Sequence, residues 1–384
     1  MAIKRYNGTT GQWEFVGHPG SITPAAIGAV PTSGSSTITG NLTVSSLNSG
    51  QLAGFRNVLI NGAMDIWQRG APTTASPTAI GGASAYTADR WNVYRAGFAS
   101  GSSWSQNSTA ADLPADFRYA LRVQRVSGDT STATIVCAQH VETINAWSLR
   151  GKTVSFSFYA RAGANYSPTL SALTVQLVTG TGTDESVRGG MTNQTTALNS
   201  TATLTTSWQR FTYTATLSNV MTSLSAFVFS TPVGTAGAND WFEVTGLQLE
   251  ISPVATPFEF LPVGVEVALC QRYFEKSWDI GVTPGVSTND GLITQSGTAA
   301  SRTTGEIRSD VSFKVTKRSS PNVVVYDSVS NINKVTRGDY GTAFNSNQAV
   351  TVAYKGQNNF CLISGGAGVN GSAHVLHFTA DSEI

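Results

Sequence analysis

The chain has 384 residues, 40% of them hydrophobic and 12% charged, and its 24 basic and 23 acidic side chains leave a formal charge of +1. That length allows two or three domains with buried cores, with far less charge than the about 25% of ordinary globular domains. The even charge excludes the basic stripe that neutralises a nucleic-acid backbone, and no run approaches the roughly 20 apolar residues that span a bilayer, so neither nucleic-acid binding nor membrane insertion is expected.

The opening sequence MAIKRYN lacks the apolar run of a signal peptide. Residues 4–16 (KRYNGTTGQWEFV) read as two short strands around an Asn-Gly loop, a hairpin pattern, and a lone hairpin is marginal in water. Residues 21–36 (SITPAAIGAVPTSGSS) are a small-residue stretch that cannot form a core. Residues 1–55 are therefore expected to be an arm that packs on copies of itself or on a larger particle, with Tyr6, Trp13 and Phe15 making the attachment.

Between 56 and 262 the pattern becomes alternating runs at 119–126, 153–159, 173–178, 208–217 and 241–251, separated by Gly, Asn and Ser clusters. Period-two alternation means half-buried strands, so this region is expected to be one β-sandwich domain, with a helical turn or two only around 141–149. Residues 263–276 form a connector in which Val263, Val267, Cys270 and Phe274 fall at helical spacing. From 277 to 384 strands return at 307–315, 322–326, 349–354, 360–363 and 374–379, giving a small β-rich tip with long polar loops at 283–291 and 328–347. The expected fold class is all-β.

Two groups of motifs about 190 residues apart carry a resemblance: residues 59–70 (LINGAMDIWQRG) with 86–91 (YTADRW), and 247–250 (LQLE) with 268–274 (ALCQRYF). Together they resemble the opening and closing signatures of a bacteriophage tail-fibre or receptor-binding module. Residues 138–144, 149–161 and 240–250 are similar to jelly-roll carbohydrate-binding modules, and 22–28 (ITPAAIG) to the attachment ends of phage fibres. The resemblance implies a virion location in the phage tail, a homotrimer, tail or baseplate proteins as partners of the N-terminal arm, and a host surface glycan as receptor. Residues 377–384 are similar to the last strand of phage tail proteins, so the tip is expected to end there.

No catalytic constellation stands out, and the expectation is adhesion without enzyme activity, cofactor or metal. His374 and His377 are three apart in a strand and face opposite ways, so they cannot share an ion. Residues 366–371 (GAGVNG) fit GxGxxG, but the 13 residues after them read as a strand rather than the helix that would receive a pyrophosphate. The three cysteines Cys137, Cys270 and Cys361 are far apart and read as small buried apolar residues.

A polysaccharide depolymerase, the alternative, would need two carboxylates about 5–9.5 Å apart. The acidic pairs are Asp184 with Glu185, Asp112 with Asp116, and Asp240 with Glu243; the first also reads as a solvated turn or a weak calcium pair. A passive tail connector is the second alternative. For sugar contact, aromatic rings beside polar side chains are the better candidates: Trp278, Asp279, Asn331, Lys334, Arg337 and Tyr340 in the tip, with Trp104, Tyr166 and Trp147 in the sandwich. Trp67 and Trp91 are assigned to the core or a strand edge.

Overall fold

The computed structural model describes residues 3–7, 9, 11–17, 54–80, 84–98, 100–296, 298–299, 307–338, 345–365 and 373–384. The chain divides into two compact units, Met1–Gly50 and Gln51–Ile384. In the first, β1 (Ile3–Asn7) and β2 (Gln12–Gly17) form the expected antiparallel hairpin, with Tyr6 opposite Trp13 and Lys4 opposite Phe15. Asn7 closes its turn, its backbone oxygen accepting from the Gly11 N–H at 2.9 Å and its side-chain Oδ1 from the Thr9 N–H at 3.0 Å. Residues 18–53, including the 22–28 motif, lie outside the described residues.

In the second unit, residues 54–262 build a jelly-roll β-sandwich. Its strands are β3 (Thr78–Ile80), β4 (Ala85–Tyr86), β5 (Asn92–Arg95), β6 (Ser102–Asn107), β7 (Ala120–Arg125), β8 (Ile135–Val141), β9 (Thr153–Ala162), β10 (Ala172–Gly180), β11 (Thr195–Thr203), β12 (Gln209–Thr216), β13 (Ser223–Ser230) and β14 (Trp241–Glu250). A single helical turn, α1 (Thr143–Ala146), follows β8. One sheet runs β11-β10-β13-β8-β5-β4 and the other β12-β9-β14-β7-β6-β3. From β7 to β14 the chain changes sheet at almost every loop, so strands close in sequence face each other across the core.

Alternation puts Val154, Phe156, Phe158, Phe242 and Val244 of one sheet against Leu173, Val175, Leu177, Leu224 and Val228 of the other. Burying each such side chain is worth about 1.5–3 kcal/mol. Trp91 lies in this core without exposure, and Trp67 stacks on Trp104 at 6.0 Å.

After the sandwich come α2 (Val263–Gln271) and β15 (Phe274–Lys276), then β16 (Ile293–Ser296), β17 (Thr298–Ala299), β18 (Ile307–Ser312), β19 (Asn322–Tyr326), β20 (Lys334–Gly338), β21 (Asn345–Ala349), β22 (Thr351–Ala353), β23 (Asn359–Ser364) and β24 (Ala373–Asp381). The 263–276 segment is thus a helix plus a strand of the C-terminal sheet, because β15 pairs with β24. β24 is the spine of this region: it pairs with β15 and β19 along its second half and with β16 and β20 along its first. A second sheet, β17-β18-β23-β22, closes over a core of Val311, Val325, Phe360, Leu362, Leu376 and Phe378. The expected 328–347 loop contains β20 and the start of β21, whose polar residues conceal their pairing.

The two motif groups meet in space. In β14, Gly246 has φ 63°, and a Cβ there would lie 2.6 Å from the Phe117 ring, so only glycine forms this bulge. Past the bulge, the edge of β14 leaves β7 and takes residues 57–62 instead: Val58 N–H donates to Leu249 O at 2.8 Å and Leu247 N–H to Gly62 O at 3.0 Å. A Cβ on Gly62 would sit 2.1 Å from Leu247 O. Asn61, in the left-handed region at φ 57°, ties this corner by donating from Nδ2 to Ile66 O at 2.9 Å and Asp89 O at 3.0 Å.

The same motifs fasten the sandwich to the C-terminal sheets. The Arg90 guanidinium is 2% exposed; it pairs with Glu383, donates to His140 O at 2.6 Å and lies 3.5 Å from the Tyr273 ring centre. Arg69 reaches Asp381 at 3.1 Å and Glu383 at 3.3 Å, and Tyr86 Oη donates to Ile384 O at 2.8 Å. Arg272 pairs with Glu142 at 2.6 Å, and Arg318 with Asp184 at 2.7 Å.

Removing one member of a buried ion pair strands the other, at about 3–5 kcal/mol. Glu383→Ala is therefore expected to lower unfolding stability by about that amount in a denaturant titration; a loss under about 1 kcal/mol would show that the carbonyl and ring contacts of Arg90 suffice.

His374 is fully buried, its Nδ1 bonded to Ser309 Oγ at 2.6 Å and its Nε2 to Ser364 Oγ at 2.7 Å. Burial pushes its pKa down to about 4 from the usual 6.5, with Arg337 adding to the effect. The unfolded chain then binds the proton more readily, so this contribution to stability is present above pH 6.5 and lost as pH falls toward 4. The stability gap between the wild type and His374→Asn is expected to narrow by about 2 kcal/mol from pH 7 to pH 5, read as a shift in urea midpoints; a constant gap would refute it.

Candidate functional site

Beside the 57–62 seam lies a cavity of about 140 Å³. Its lining comes from three stretches that the fold gathers: Asn57 with Asn61 and Asp65 of the opening motif, Arg118 and Tyr119 before β7, and residues from Phe258 after β14 to Glu266 in the first turn of α2. Phe117 anchors its aromatic wall, with its ring centre 5.2 Å from both Phe258 and Phe260, which are themselves 4.8 Å apart. Phe260 is 46% exposed, so one part of that wall faces solvent.

Three carboxylates share the cavity. Glu259 is buried; its Oε2 accepts the backbone N–H groups of Arg56 at 2.6 Å and Asn57 at 2.8 Å, while its Oε1 has no hydrogen-bond partner among the described residues. Asp65 Oδ1 is also buried without a partner there. Glu266 accepts the Asn61 N–H, a short contact. Desolvation raises the pKa of Asp65 above the ordinary carboxyl value, opposed by Arg118. Desolvation likewise raises that of Glu266, with Asp65 and Glu259 adding repulsion.

Two neighbouring surface hollows are linked to it through shared lining residues. A second hollow shares Asn57 and Leu261 with it and adds Phe55, Ile60 and Ile144; a third shares Ile144 and adds Glu142, Trp147 and Asp184. Exposed rings mark this track of hollows: Phe260, then Phe55 at 70% exposure, then Trp147 at 56%. Extended aromatic faces with carboxylates and an arginine nearby suit the alternating apolar faces and hydroxyls of a sugar chain.

No protein-family model matches the chain, and no curated protein matches it. Among solved structures, the enzymatically active domain of bacteriophage CBA120 tailspike protein 4 is similar over 42% of this chain, at 5% identity and a TM-score of 0.29, and the chain spans 19% of that domain's length. A CBM4 structure is similar over 39% of this chain and 87% of its own length, at 20% identity and a TM-score of 0.26. The CBM22-1 xylan-binding domain from Paenibacillus barcinonensis Xyn10C is similar over 50% of this chain and 96% of its own, at 13% identity and a TM-score of 0.28.

The residues expected to bind in the tip are scattered. Trp278 is a correction: it is 2% exposed, its face stacked on His377 at 4.2 Å and its edge against Tyr326, with Nε1 donating to Val286 O at 3.0 Å. A ring covered in this way packs the core and cannot stack on a pyranose. Asn331 is exposed but belongs to a turn built on the buried Asp327, donating from its N–H and its Nδ2 at 2.8 Å each. Asp279 is exposed beside the Trp278 turn, and Lys334 is half-buried on β20. Arg337 donates to Gly365 O at 3.1 Å. Tyr340 and the 366–371 motif lie outside the described residues.

In the sandwich, Trp104 is buried and Tyr166 half-buried, its hydroxyl donating to Ala172 O at 3.1 Å, so Trp147 is the candidate left facing solvent. The acidic pairs are spent structurally. Asp184 is held by Arg318 and the Thr143 N–H at 2.8 Å, Asp240 by Arg125 at 2.8 Å, and Glu243 by Arg122 and Arg161 at 2.7 Å each. Asp112 and Asp116 are exposed. All three cysteines are free and buried. Among the described residues no helix is long and apolar enough to cross a membrane.

The opposite environments of two tryptophans give a clear test. Trp278→Ala is expected to cost about 3–5 kcal/mol of stability as a core truncation, whereas Trp147→Ala changes it by less than about 0.5 kcal/mol, both read by thermal unfolding. Equal melting temperatures for the two variants would contradict the burial of Trp278.

Proposed function

We propose that the protein is an adhesin of a phage virion, a tail-fibre or receptor-binding protein that holds a polysaccharide on the host surface without cleaving it. The observation that carries the reading is the succession of exposed rings, Phe260, Phe55 and Trp147, on hollows that share lining residues. The motif resemblance supports the tail location, a homotrimer and an arm, with Tyr6, Trp13 and Phe15, that meets tail or baseplate proteins. Several copies on one particle would raise weak contacts by about 10²–10⁴ in avidity. No cofactor enters the mechanism.

The receptor site in this reading moves from the tip to the sandwich track. A depolymerase reading has one observation in its favour: Asp65 and Glu266 line one cavity and both carboxyl pKa values are raised. Incubation with host polysaccharide followed by a reducing-end assay separates the two, since adhesion releases none.

Pull-down of labelled protein on host polysaccharide is expected to weaken about tenfold or more in Trp147→Ala, with unfolding unchanged, and in Phe260→Ala at a temperature where that variant stays folded, because each removes a stacking face. Binding as tight as that of the wild type in both variants would move the receptor site off the track.

A further inference from the structure

The charge balance of the cavity is lopsided. Asp65, Glu259 and Glu266 face it with Arg118 as the one cationic side chain in its lining. Arg56, whose backbone N–H meets Glu259, sends its guanidinium elsewhere, to Thr256, Pro257 O at 3.3 Å and Glu250 at 3.6 Å. Glu259 is 3% exposed, and its Oε1 is left without a partner among the described residues, as is Asp65 Oδ1. A buried anionic oxygen lacking a donor is costly, and the cost is removed when a cation or a strong donor occupies the space in front of it. The three carboxylates are not arranged to hold a metal ion, since no cluster of that kind occurs among the described residues.

Resting on the polysaccharide-binding reading, we propose that this cavity selects an amino sugar, a 2-amino-2-deoxyhexose unit whose ammonium group enters between Asp65, Glu259 and Glu266 while its ring lies on the Phe258–Phe260 wall. Two of the three donors of an ammonium have the free oxygens Asp65 Oδ1 and Glu259 Oε1 to meet, and the aromatic faces add a cation–π attraction. An N-acetylated unit brings no charge and a bulkier group, and a neutral hexose offers only hydroxyls. The raised carboxyl pKa values of Asp65 and Glu266 agree with this, because excess negative charge in a dry cavity is what an ammonium would relieve.

The test is calorimetric titration of the full chain with three oligosaccharides of equal length, β-1,4-linked glucosamine, N-acetylglucosamine and glucose, at a pH where the amine is protonated. The glucosamine oligomer is expected to bind about tenfold or more tightly than the other two, the range of a charge-assisted hydrogen bond. Glu259→Gln keeps the acceptor for the Arg56 and Asn57 N–H groups and replaces the free oxygen with an amide, and in this variant the glucosamine oligomer is expected to bind no more tightly than the glucose oligomer. Asp65→Asn provides the same reading should Glu259→Gln fail to fold.

Equal affinity for all three oligomers, or a preference that survives both substitutions, overturns the amine inference and leaves the track reading standing. Failure of all three to bind, together with loss of adhesion to host polysaccharide, overturns the track reading itself. Saturation by free lysine with no sugar binding also overturns the inference, and assigns the cavity to a basic side chain of a protein partner.

Discussion

Arg90 carries a full positive charge at a place that water does not reach, and Glu383, nearly three hundred positions away, is the carboxylate that makes this tolerable. Desolvating an ion costs several kcal/mol even after relaxation, so the guanidinium is stable there only because its charge and its two Nη groups are met at once by the carboxylate, the His140 carbonyl and the face of Tyr273. Those partners come from the tail beyond β24, from a strand of the sandwich and from the end of α2. The pair can form only when all three are assembled, and this joins the jelly roll and the C-terminal sheets into one unit. Around it, Arg69, Arg318 and Arg272 repeat the arrangement at larger exposure.

The signature motifs therefore have a structural explanation. Residues 59–70 and 86–91 supply Asn61, Gln68, Asp89 and Trp91, which bond to one another, with Gln68 reaching Phe274 O of β15, and Arg90, which reaches His140 O of β8. Gly246 bulges β14 so that its edge can receive residues 57–62, and Gly62 fits against Leu247 O because it has no side chain. The corner so formed is rigid, and the cavity stands on it. Glu259 and Glu266 are held by the backbone N–H groups of Arg56, Asn57 and Asn61 in that corner, so these walls of the site are set before any ligand arrives.

Burying charge has two opposite results in this molecule. At the latch each ion finds its counter-ion and the cost is offset. At the cavity three carboxylates meet one arginine, and two oxygens stay without donors, among the described residues. Stability alone would favour apolar replacements there; a ligand that supplies positive charge and donors turns the same cost into affinity. This contrast, more than the size of the hollow, distinguishes the cavity from the shallower depressions nearby.

Alternating runs were enough to place β7, β9, β10, β12 and β14, and short runs rich in Val, Ile, Phe and Leu to place β18, β19, β23 and β24, because both patterns are visible over a few consecutive residues. The turn after β8, the hairpin at residues 3–17, the buried cysteines and the opposite facing of His374 and His377 follow from equally local rules. Edge strands β11 and β21 escaped notice since Thr, Ser, Asn and Gln suffice where neither face is fully covered. Trp278 read as a surface ring because a lone aromatic beside polar residues does not disclose the strand that will cover it, here β24 carrying His377. The cavity was illegible for a further reason: its lining is collected from residues 57–66, 118–119 and 258–266, and only pairing of β14 with both β7 and the 57–62 segment brings them together. The sequence by itself determined the all-β class and the strands with strong apolar patterns, since those are set by neighbours one to four positions away; which strands pair, which charges meet and where a ligand fits were decided by the tertiary structure, since these depend on contacts across two hundred residues that no local period encodes.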